Sequence, residues 1–159
     1  MSDKYPMTPG GYARMKAQLH KLKTHDRLAN SRAIEIARGH GDLSENAEYH
    51  AAREQQGFIE GRIGELEAKL STAEVIDPSR MAGTGKIVFG CSVELANQDD
   101  GGAVKYQIVG EDEADIRAGR VSITSPIARA LVGKTEGDVV DVDAPGGVKS
   151  FEVVSVHYE

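Results

Sequence analysis

Two carboxylates stand close together in the stretch GHGDLSENAEYHAAREQQG, residues 39–57, where Asp42 and Glu45 are three positions apart. Carboxylate oxygens suit Mg²⁺, which takes about six oxygen ligands in octahedral array. Asp42 and Glu45 supply two of these ligands, and Ser44 or Asn46 can orient a water. The stretch therefore suggests an incomplete metal site. It becomes a plausible half-site for phosphoryl chemistry only when a partner brings the remaining ligands and the substrate.

The same residues also fit a purely structural role at the start of a helix. In a capping box, Asp42 would accept from the first N–H groups of the next helix and Glu45 would reach back. Ser44 is an equally competent cap. If Ser44 caps, both carboxylates are free to project near a helix N-terminus, which favours their ionised form. Spacing alone leaves both interpretations open.

Charged and imidazole side chains surround the two acids. Arg38 and Arg53 can each bind a phosphate with two hydrogen bonds or stack on a base. Alternatively, they are solvated or form cross-helix ion pairs of about 0–1 kcal/mol. His40 and His50 bracket the acids on what we expect to be two different helices. The single cysteine of the chain, Cys91, is remote in sequence, so we interpret these histidines as solvated rather than as zinc ligands.

The stretch interrupts a long helical pattern that runs from Thr8 to Asp77. Thr8 is placed to cap the first helix, with Pro9 at its first position. Apolar residues then follow alternating spacings of three and four, which predicts a coiled-coil seam. On the first arm the seam residues are Tyr12, Met15, Leu19, Leu22, Ala29, Ala33 and Ile36. On the second arm they are Ala52, Ile59, Ile63, Leu66, Leu70 and Ala73.

Charge favours a hairpin folded within one chain over a dimer of straight helices. Residues 9–41 carry seven basic and two acidic side chains, whereas residues 42–77 carry three basic and nine acidic ones. Arms of opposite charge pack well beside each other, while two copies of the same arm repel. We therefore expect an antiparallel hairpin in a monomer, with the coiled-coil dimer as the alternative.

Three glycines inside the second arm, Gly57, Gly61 and Gly64, cluster on the side opposite its apolar residues. Each costs roughly 1 kcal/mol relative to alanine in a helix interior. One hypothesis is that they keep the outer face slim for passage along a tight wall. The alternative is that the coiled coil simply tolerates them.

After Asp77-Pro78 the period changes from helical to alternating. Short β-branched runs predict strands at KIVFG, SVELA, VKYQIVG, RVSIT, DVVDVD and FEVVSVHYE. Among them SPIARALVG predicts one short helix, with Ser125 as cap and Pro126 at its start. The expected fold is α+β. It consists of an N-terminal antiparallel coiled-coil hairpin, residues 1–78 with an acidic tip at 39–46, and a C-terminal antiparallel sheet domain with one short helix, residues 79–159.

Composition excludes several classes of protein. The net charge of −6 has the wrong sign for neutralising the phosphates of a bare duplex. A single cysteine excludes an intramolecular disulfide and a cysteine-rich zinc ribbon. The N-terminus has no apolar signal segment, and no apolar run approaches 18 residues. We therefore expect a cytoplasmic protein that neither spans nor binds a membrane. The sequence also contains neither a P-loop nor a dinucleotide-binding fingerprint.

Several motifs resemble those of a known family. HGDLSENAEYHAAREQQGFIEGRI resembles the signature of the bacterial GreA/GreB transcript-cleavage factors, and TGKIVFG, IVGEDEAD and SPIARALVGK resemble the motifs of their C-terminal domain. The resemblance runs from about Met7 to the end of the chain. It implies an FKBP-like fold for the C-terminal domain, which docks at the rim of the secondary channel of RNA polymerase. The hairpin then enters that channel, where the 3′ end of backtracked nascent RNA is extruded.

The resemblance also implies roles for individual residues. Asp42 and Glu45 match the tip acids that help the polymerase hold Mg²⁺, so the free protein needs no cofactor. Further matches are the RNA-contacting or orienting residues Arg38, Ser44, Asn46 and Arg53, and the docking loop Ser125, Pro126 and Ile127.

Two other functions remain as alternatives. Some relatives of the family bind the channel as inhibitors without cleavage, but they depart from the family at the tip acids that this chain keeps. An FKBP-like fold also suggests a peptidyl-prolyl isomerase or chaperone, yet fold does not confer activity. Residues 79–159 offer few aromatics for such a pocket: Phe89, Tyr106, Phe151 and Tyr158.

Overall fold

The structure is a computed structural model that describes residues 4–158, and the chain divides into two compact units. One unit holds residues 12–73 and consists of helices. The other joins residues 4–11 to residues 74–158 and contains the five-stranded sheet. The N-terminal segment joins the second unit because strand β1 (Tyr5–Met7) pairs with β2 (Ala73–Val75).

The helical unit is built from two arms. The first arm comprises α1 (Pro9–Lys21), a π-helical segment (Leu22–Asp26) and α2 (Arg27–Arg38). The second arm is α3 (Ala47–Ser71). The start of α1 is as predicted, since Thr8 Oγ1 accepts a hydrogen bond from the backbone N–H of Gly11 at 3.0 Å.

The two arms pack antiparallel, as their charges predict. Arg27 donates two hydrogen bonds to Glu60, at 2.9 and 2.8 Å, and Lys23 lies 3.7 Å from Glu67. The later residue of the first arm, Arg27, pairs with the earlier residue of the second arm, Glu60, so the two helices run in opposite directions. The predicted helical hairpin is confirmed.

The buried seam follows the prediction on α3 but not on the whole of the first arm. Ile59, Ile63 and Leu66 are buried, and so is Met15 on α1. On α2, however, the predicted seam residues Ala29, Ala33 and Ile36 are exposed, with Ile36 at 65%. The residues that are buried instead lie one position later in each case: Asn30, Ile34 and Ala37.

The π-helical segment explains this shift of one residue. The backbone N–H of Arg27 donates to the carbonyl of Leu22, five positions back, where an α-helix would use the residue four back. A π turn therefore accommodates one extra residue. Every residue after it presents a face displaced by one position, so the predicted seam on α2 was wrong by that amount.

The second unit contains a five-stranded sheet in the order β5-β4-β3-β7-β6. Its strands are β3 (Ser92–Asn97), β4 (Ala103–Val109), β5 (Arg120–Ser122), β6 (Val139–Ala144) and β7 (Gly147–His157). Four of the five strands pair antiparallel, but β5 runs parallel to β4. The expected all-antiparallel sheet is thus mixed. The connection at 110–119 carries two 3₁₀ turns and returns the chain so that β5 runs in the same direction as β4.

The predicted strand KIVFG is also absent. Lys86 makes only an isolated bridge with Thr135, although Ile87 and Phe89 are buried in the core. Gly90 follows with φ +90°, a left-handed conformation that ends any extended run. The apolar alternation of this segment thus reflects burial in the core rather than strand pairing.

The predicted short helix is confirmed as α4 (Pro126–Leu131). Ser125 Oγ accepts from the backbone N–H of Ala128 at 3.3 Å, and Ala128 and Leu131 are fully buried in the core of the sheet domain. Within residues 4–158, no helix is both long and apolar enough to cross a membrane.

Candidate functional site

The tip of the hairpin is the loop 39–46 between α2 and α3. The first arm ends in a tightening turn, in which the backbone N–H of His40 donates to the carbonyl of Ala37 at 3.1 Å. Gly41 then takes φ +108°, which reverses the chain and strongly favours glycine. The conformation of the loop therefore depends on the positive φ of Gly41 and on the polar side chains that follow it.

Asn46 is the residue that caps α3. Its Oδ1 accepts from the backbone N–H of Tyr49 at 3.0 Å, and its Nδ2 donates to the carbonyl of Ala37 at 2.5 Å. The first bond satisfies a free N–H of the new helix, and the second joins it to the last turn of α2. Neither Asp42 nor Ser44 caps α3, so the capping-box interpretation of Asp42 and Glu45 was wrong.

The two tip acids are both exposed and differ in how they are held. Asp42 Oδ1 accepts from the backbone N–H of Ser44 at 3.0 Å and from its hydroxyl at 2.9 Å. Ser44 thus orients one oxygen of Asp42, while Oδ2 accepts no hydrogen bond from residues 4–158. Glu45 forms neither a hydrogen bond nor an ion pair with any described residue. Three of the four carboxylate oxygens are therefore available to a ligand.

Both carboxylates line one shallow depression of about 370 Å³ at the tip. Its other lining residues are His40, Asn46, Ala47 and Glu48. Among residues 4–158, no three side chains of His, Cys, Asp or Glu are grouped closely enough to hold a metal ion. The hard oxygen donors of Asp42 and Glu45 suit Mg²⁺, but they form only part of its usual ligand set.

The two arginines predicted to contact RNA have different surroundings. The guanidinium of Arg38 lies 5.8 Å from the centroid of the Tyr49 ring, a cation–π contact across the tip. Tyr49 is half-buried, consistent with packing rather than with a free stacking surface. Arg53 is exposed and forms no hydrogen bond or ion pair with any described residue, so its guanidinium is available to a ligand.

The two histidines near the tip each have a nearby polar partner. His40 Nε2 lies 3.2 Å from Glu48 Oε2, and His50 Nε2 lies 3.3 Å from the carbonyl oxygen of Ser44. Both side chains are exposed, as expected for solvated histidines.

The predicted docking residues belong to the other compact unit, at the start of α4. The Ser125 hydroxyl donates to the carbonyl of Ser122 at 2.6 Å in addition to capping the helix. Ile127 is half-buried and packs against the core, whereas Pro126 is exposed. Of the three, Pro126 offers the most surface to a partner.

The sequence suggests Asn46 as an orienting residue, whereas the structure shows that it caps α3 and also links the two arms. Asparagine is among the strongest helix caps, and the placement of Asn46 directly before Ala47 was the signal for the first role. No sequence signal indicates its hydrogen bond to Ala37. That bond depends on where α2 ends relative to α3.

Comparison with known proteins gives matches over almost the whole chain. The family model described as "Transcription elongation factor, N-terminal" matches residues 5–75, and "Transcription elongation factor, GreA/GreB, C-term" matches residues 82–158.

Curated relatives agree with the family models. The chain is 60% identical to transcription elongation factor GreA of Thioalkalivibrio sulfidiphilus and 57% identical to that of Alkalilimnicola ehrlichii, each over 98% of both chains. It is 58% identical to GreA of Methylococcus capsulatus over 98% of this chain and 99% of the relative. All three of these relatives carry the name GreA.

Proposed function

Because the chain belongs to the GreA/GreB family of transcription elongation factors, we propose that it binds bacterial RNA polymerase and stimulates cleavage of backtracked RNA. In this proposal the hairpin enters the secondary channel, and the start of α4, residues 125–127, docks at the channel rim. The polymerase cleaves its own transcript near the RNA 3′ end and resumes synthesis. The chain is a factor that completes another enzyme's site rather than an enzyme itself.

The observation that supports this proposal is that the tip carries two exposed carboxylates with no structural role in the helix cap. Asp42 and Glu45 are exposed and line one depression, and the helix start is capped by Asn46 instead. The two acids are thus not needed to cap the N-terminus of α3. An end of the molecule built in this way is suited to completing a site on a partner.

Asp42 and Glu45 would hold Mg²⁺ together with ligands from the polymerase. When bound, the ion would act as a Lewis acid that activates water for attack on the phosphodiester. Ser44 orients Asp42 through the two hydrogen bonds to Oδ1. Arg38 and Arg53 would bind the phosphates of the extruded RNA by charge-assisted hydrogen bonds. Both arginines flank the loop that carries the acids.

The test uses backtracked polymerase complexes with labelled RNA, supplied with Mg²⁺ and saturating protein. We expect the wild type to release short 3′ fragments. Asp42→Asn and Glu45→Gln keep the shape of each side chain but remove its charge. Each should lower the cleavage rate by on the order of 10²-fold, the usual cost of removing one electrostatic contributor from a reaction centre.

Glu54→Gln is the matched control, because Glu54 is an exposed carboxylate further along α3. It should cleave like the wild type. Binding to the polymerase is measured in parallel by competition with a labelled tip variant. If Asp42→Asn and Glu45→Gln cleave at the wild-type rate, the proposed role of the acids is wrong. If the wild type binds without stimulating cleavage, the chain is a channel-binding inhibitor.

A further inference from the structure

The outer face of α2 carries a ridge of exposed side chains, namely Leu28, Arg32 and Ile36. They are spaced four residues apart and so lie on one face of the helix, opposite the buried seam. Leu28 is 52% exposed and Ile36 is 65% exposed. Beside the ridge is a depression of about 240 Å³ lined by Leu28, Arg32 and three neighbours, Thr24, His25 and Ala29.

The ridge exists because of the π-helical segment that precedes it. A continuous α-helix would bury Ile36 in the seam, as the hydrophobic pattern predicts. The π turn rotates α2 by one residue, which turns Ile36 outward and brings the polar Asn30 inward. The buried amide of Asn30 finds partners there once its oxygen and nitrogen are assigned from the surrounding groups: the nitrogen then donates to the carbonyl of Ala52 at 3.2 Å, and the oxygen accepts from the backbone N–H of Gln56 at 3.3 Å.

Such an arrangement is unfavourable for the hairpin taken alone. A π turn inside an α-helix is rare and is frequently found at a functional site. Burying an amide while exposing an isoleucine reverses the ordinary preference of both side chains. Local sequence features that lower stability are expected at sites where a protein binds a ligand or partner. The face that the π turn exposes is therefore a candidate contact surface.

Charge indicates what this surface contacts. Residues 9–38 carry seven basic and two acidic side chains. Lys23 and Arg27 are paired with acids of α3, and Asp26 contacts His25 at 3.0 Å. Arg32 forms no hydrogen bond or ion pair with residues 4–158, and Glu35 is the acidic neighbour beside it. The ridge thus presents a free guanidinium between two aliphatic side chains.

We propose that the ridge Leu28–Arg32–Ile36 docks laterally against an amphipathic helix of RNA polymerase that carries a carboxylate between apolar residues. The carboxylate would pair with Arg32, and the apolar residues would cover Leu28 and Ile36. Aliphatic side chains neither stack on bases nor read their edges, so the ridge favours a protein surface over RNA. This contact rests on the proposed function and adds a surface separate from the tip and from residues 125–127.

Affinity is the readout that tests the ridge. Leu28→Gln combined with Ile36→Gln, and separately Arg32→Glu, should each weaken binding to RNA-free core polymerase by about 10-fold or more, the range of interface hot spots. The thermal unfolding midpoint should stay at the wild-type value, because all three side chains are exposed. At saturating concentration, cleavage should recover, since the tip is intact. Phe58→Gln is the matched control: Phe58 is 64% exposed on the other arm and should bind normally.

A photo-crosslinking residue at position 28 then identifies the partner surface. The labelled polymerase peptide should come from a helix with an acidic residue between apolar ones. If wild-type protein binds and cleaves but the Gln and Glu variants bind as tightly, the ridge proposal is wrong and the proposed function stands. If the variants lose affinity only when backtracked RNA is present, the ridge contacts RNA and the proposal is also wrong. If the wild type does not bind polymerase, the proposed function itself fails.

Discussion

Asn46 is the single residue on which the geometry of the tip most depends. Its side chain caps α3 through the N–H of Tyr49 and reaches the carbonyl of Ala37 at the end of α2. Asp42 and Glu45 lie in the loop between these two attachments. The orientation of both acids is therefore tied to one amide group that contacts neither of them.

Asn46→Ala should lower the free energy of unfolding by about 1–2 kcal/mol, the usual cost of losing a side-chain cap. It should also reduce cleavage, although both tip acids remain. Urea unfolding followed by circular dichroism measures the first effect, and the backtracked-complex assay measures the second.

Asn46→Ser separates the two attachments of the asparagine, because serine caps a helix but is too short to reach Ala37. It should recover most of the stability and less of the cleavage. If Asn46→Ala unfolds at the wild-type urea concentration, the hydrogen bonds of Asn46 do not hold the tip.

At the scale of the helices, the outer face of α3 is unusually bare. Gly57, Gly61 and Gly64 are exposed, and an added Cβ at each would lie in open space with no atom within 4 Å. The structure thus places the three glycines on the outer face, as their spacing predicts. No packing reason in the described residues requires glycine at these positions.

Replacing all three glycines with alanine should stabilise the hairpin by up to about 1 kcal/mol per site, because alanine loses less backbone entropy in a helix. Urea unfolding checks this gain. If the slim face serves passage along the channel wall, cleavage should fall as stability rises. A stabler variant with unchanged cleavage would show that the coiled coil merely tolerates the glycines.

The ion pairs between and along the arms predict how the hairpin responds to acid. The hydrogen bond from Arg27 holds the pKa of Glu60 below its ordinary value of 4.5, and hydrogen bonds from Lys69 and Arg62 do the same for Glu65. A carboxyl with a lower pKa in the folded state stabilises that state above the unfolded pKa. This contribution is lost as the pH falls through the folded pKa.

We therefore expect the thermal midpoint of the hairpin to fall as the pH drops below about 4.5. Glu60→Gln removes one of the responsible groups, so this variant should be less stable than the wild type at neutral pH and lose less on acidification. Circular dichroism melts across the acidic range measure both trends. Parallel curves for the two proteins would contradict the role of the Arg27–Glu60 pair.

At the scale of the whole molecule, the N-terminal segment folds with the sheet-containing unit. Glu113 accepts hydrogen bonds from the backbone N–H groups of Thr8 and Gly110, both at 3.1 Å, and from the Thr8 hydroxyl. The carbonyl of Met7 accepts from the N–H of Ile76 at 2.9 Å. One carboxylate thus attaches the chain start to a loop more than 100 residues away.

Glu113→Gln should loosen this attachment, because hydrogen bonds to a charged group contribute about 1.5–3 kcal/mol. The amides of Thr8 and Ile76 should exchange with solvent roughly 10- to 100-fold faster, as local opening becomes easier. Hydrogen-exchange mass spectrometry measures the change. Glu111→Gln, in the same turn, is the control, since Glu111 contacts Thr124 instead. Equal exchange in both variants would contradict the assigned role of Glu113.

Local patterns were enough to predict much of the architecture. The opposite charges of the two arms predicted an antiparallel hairpin, and Thr8-Pro9 and Ser125-Pro126 marked two helix starts correctly. These features depend on neighbouring residues and on side-chain period, which the sequence displays directly. The α3 seam was predicted for the same reason.

Other features depended on how distant segments meet. The π turn at Leu22–Asp26 leaves the heptad pattern readable in the sequence yet displaces the buried face of α2 by one residue. The segment around Ile87 alternates like a strand but finds only a single bridge to pair with. Strand β5 is parallel to β4 because the connection between them returns the chain in the same direction. In each case the hydrophobic pattern predicts that a residue is buried, but it does not indicate which neighbouring element buries it.

The tip shows the same division at its smallest scale. The sequence by itself determined that oxygen-bearing side chains are concentrated at 39–46, and hence that carboxylates stand at the end of the hairpin. Asp42, Ser44 and Asn46 were all chemically able to cap the following helix. Only the tertiary structure decided that Asn46 does so, because the path of the chain around Gly41 determines which side-chain oxygen reaches a free N–H group. That path leaves Glu45 and one oxygen of Asp42 open to a ligand.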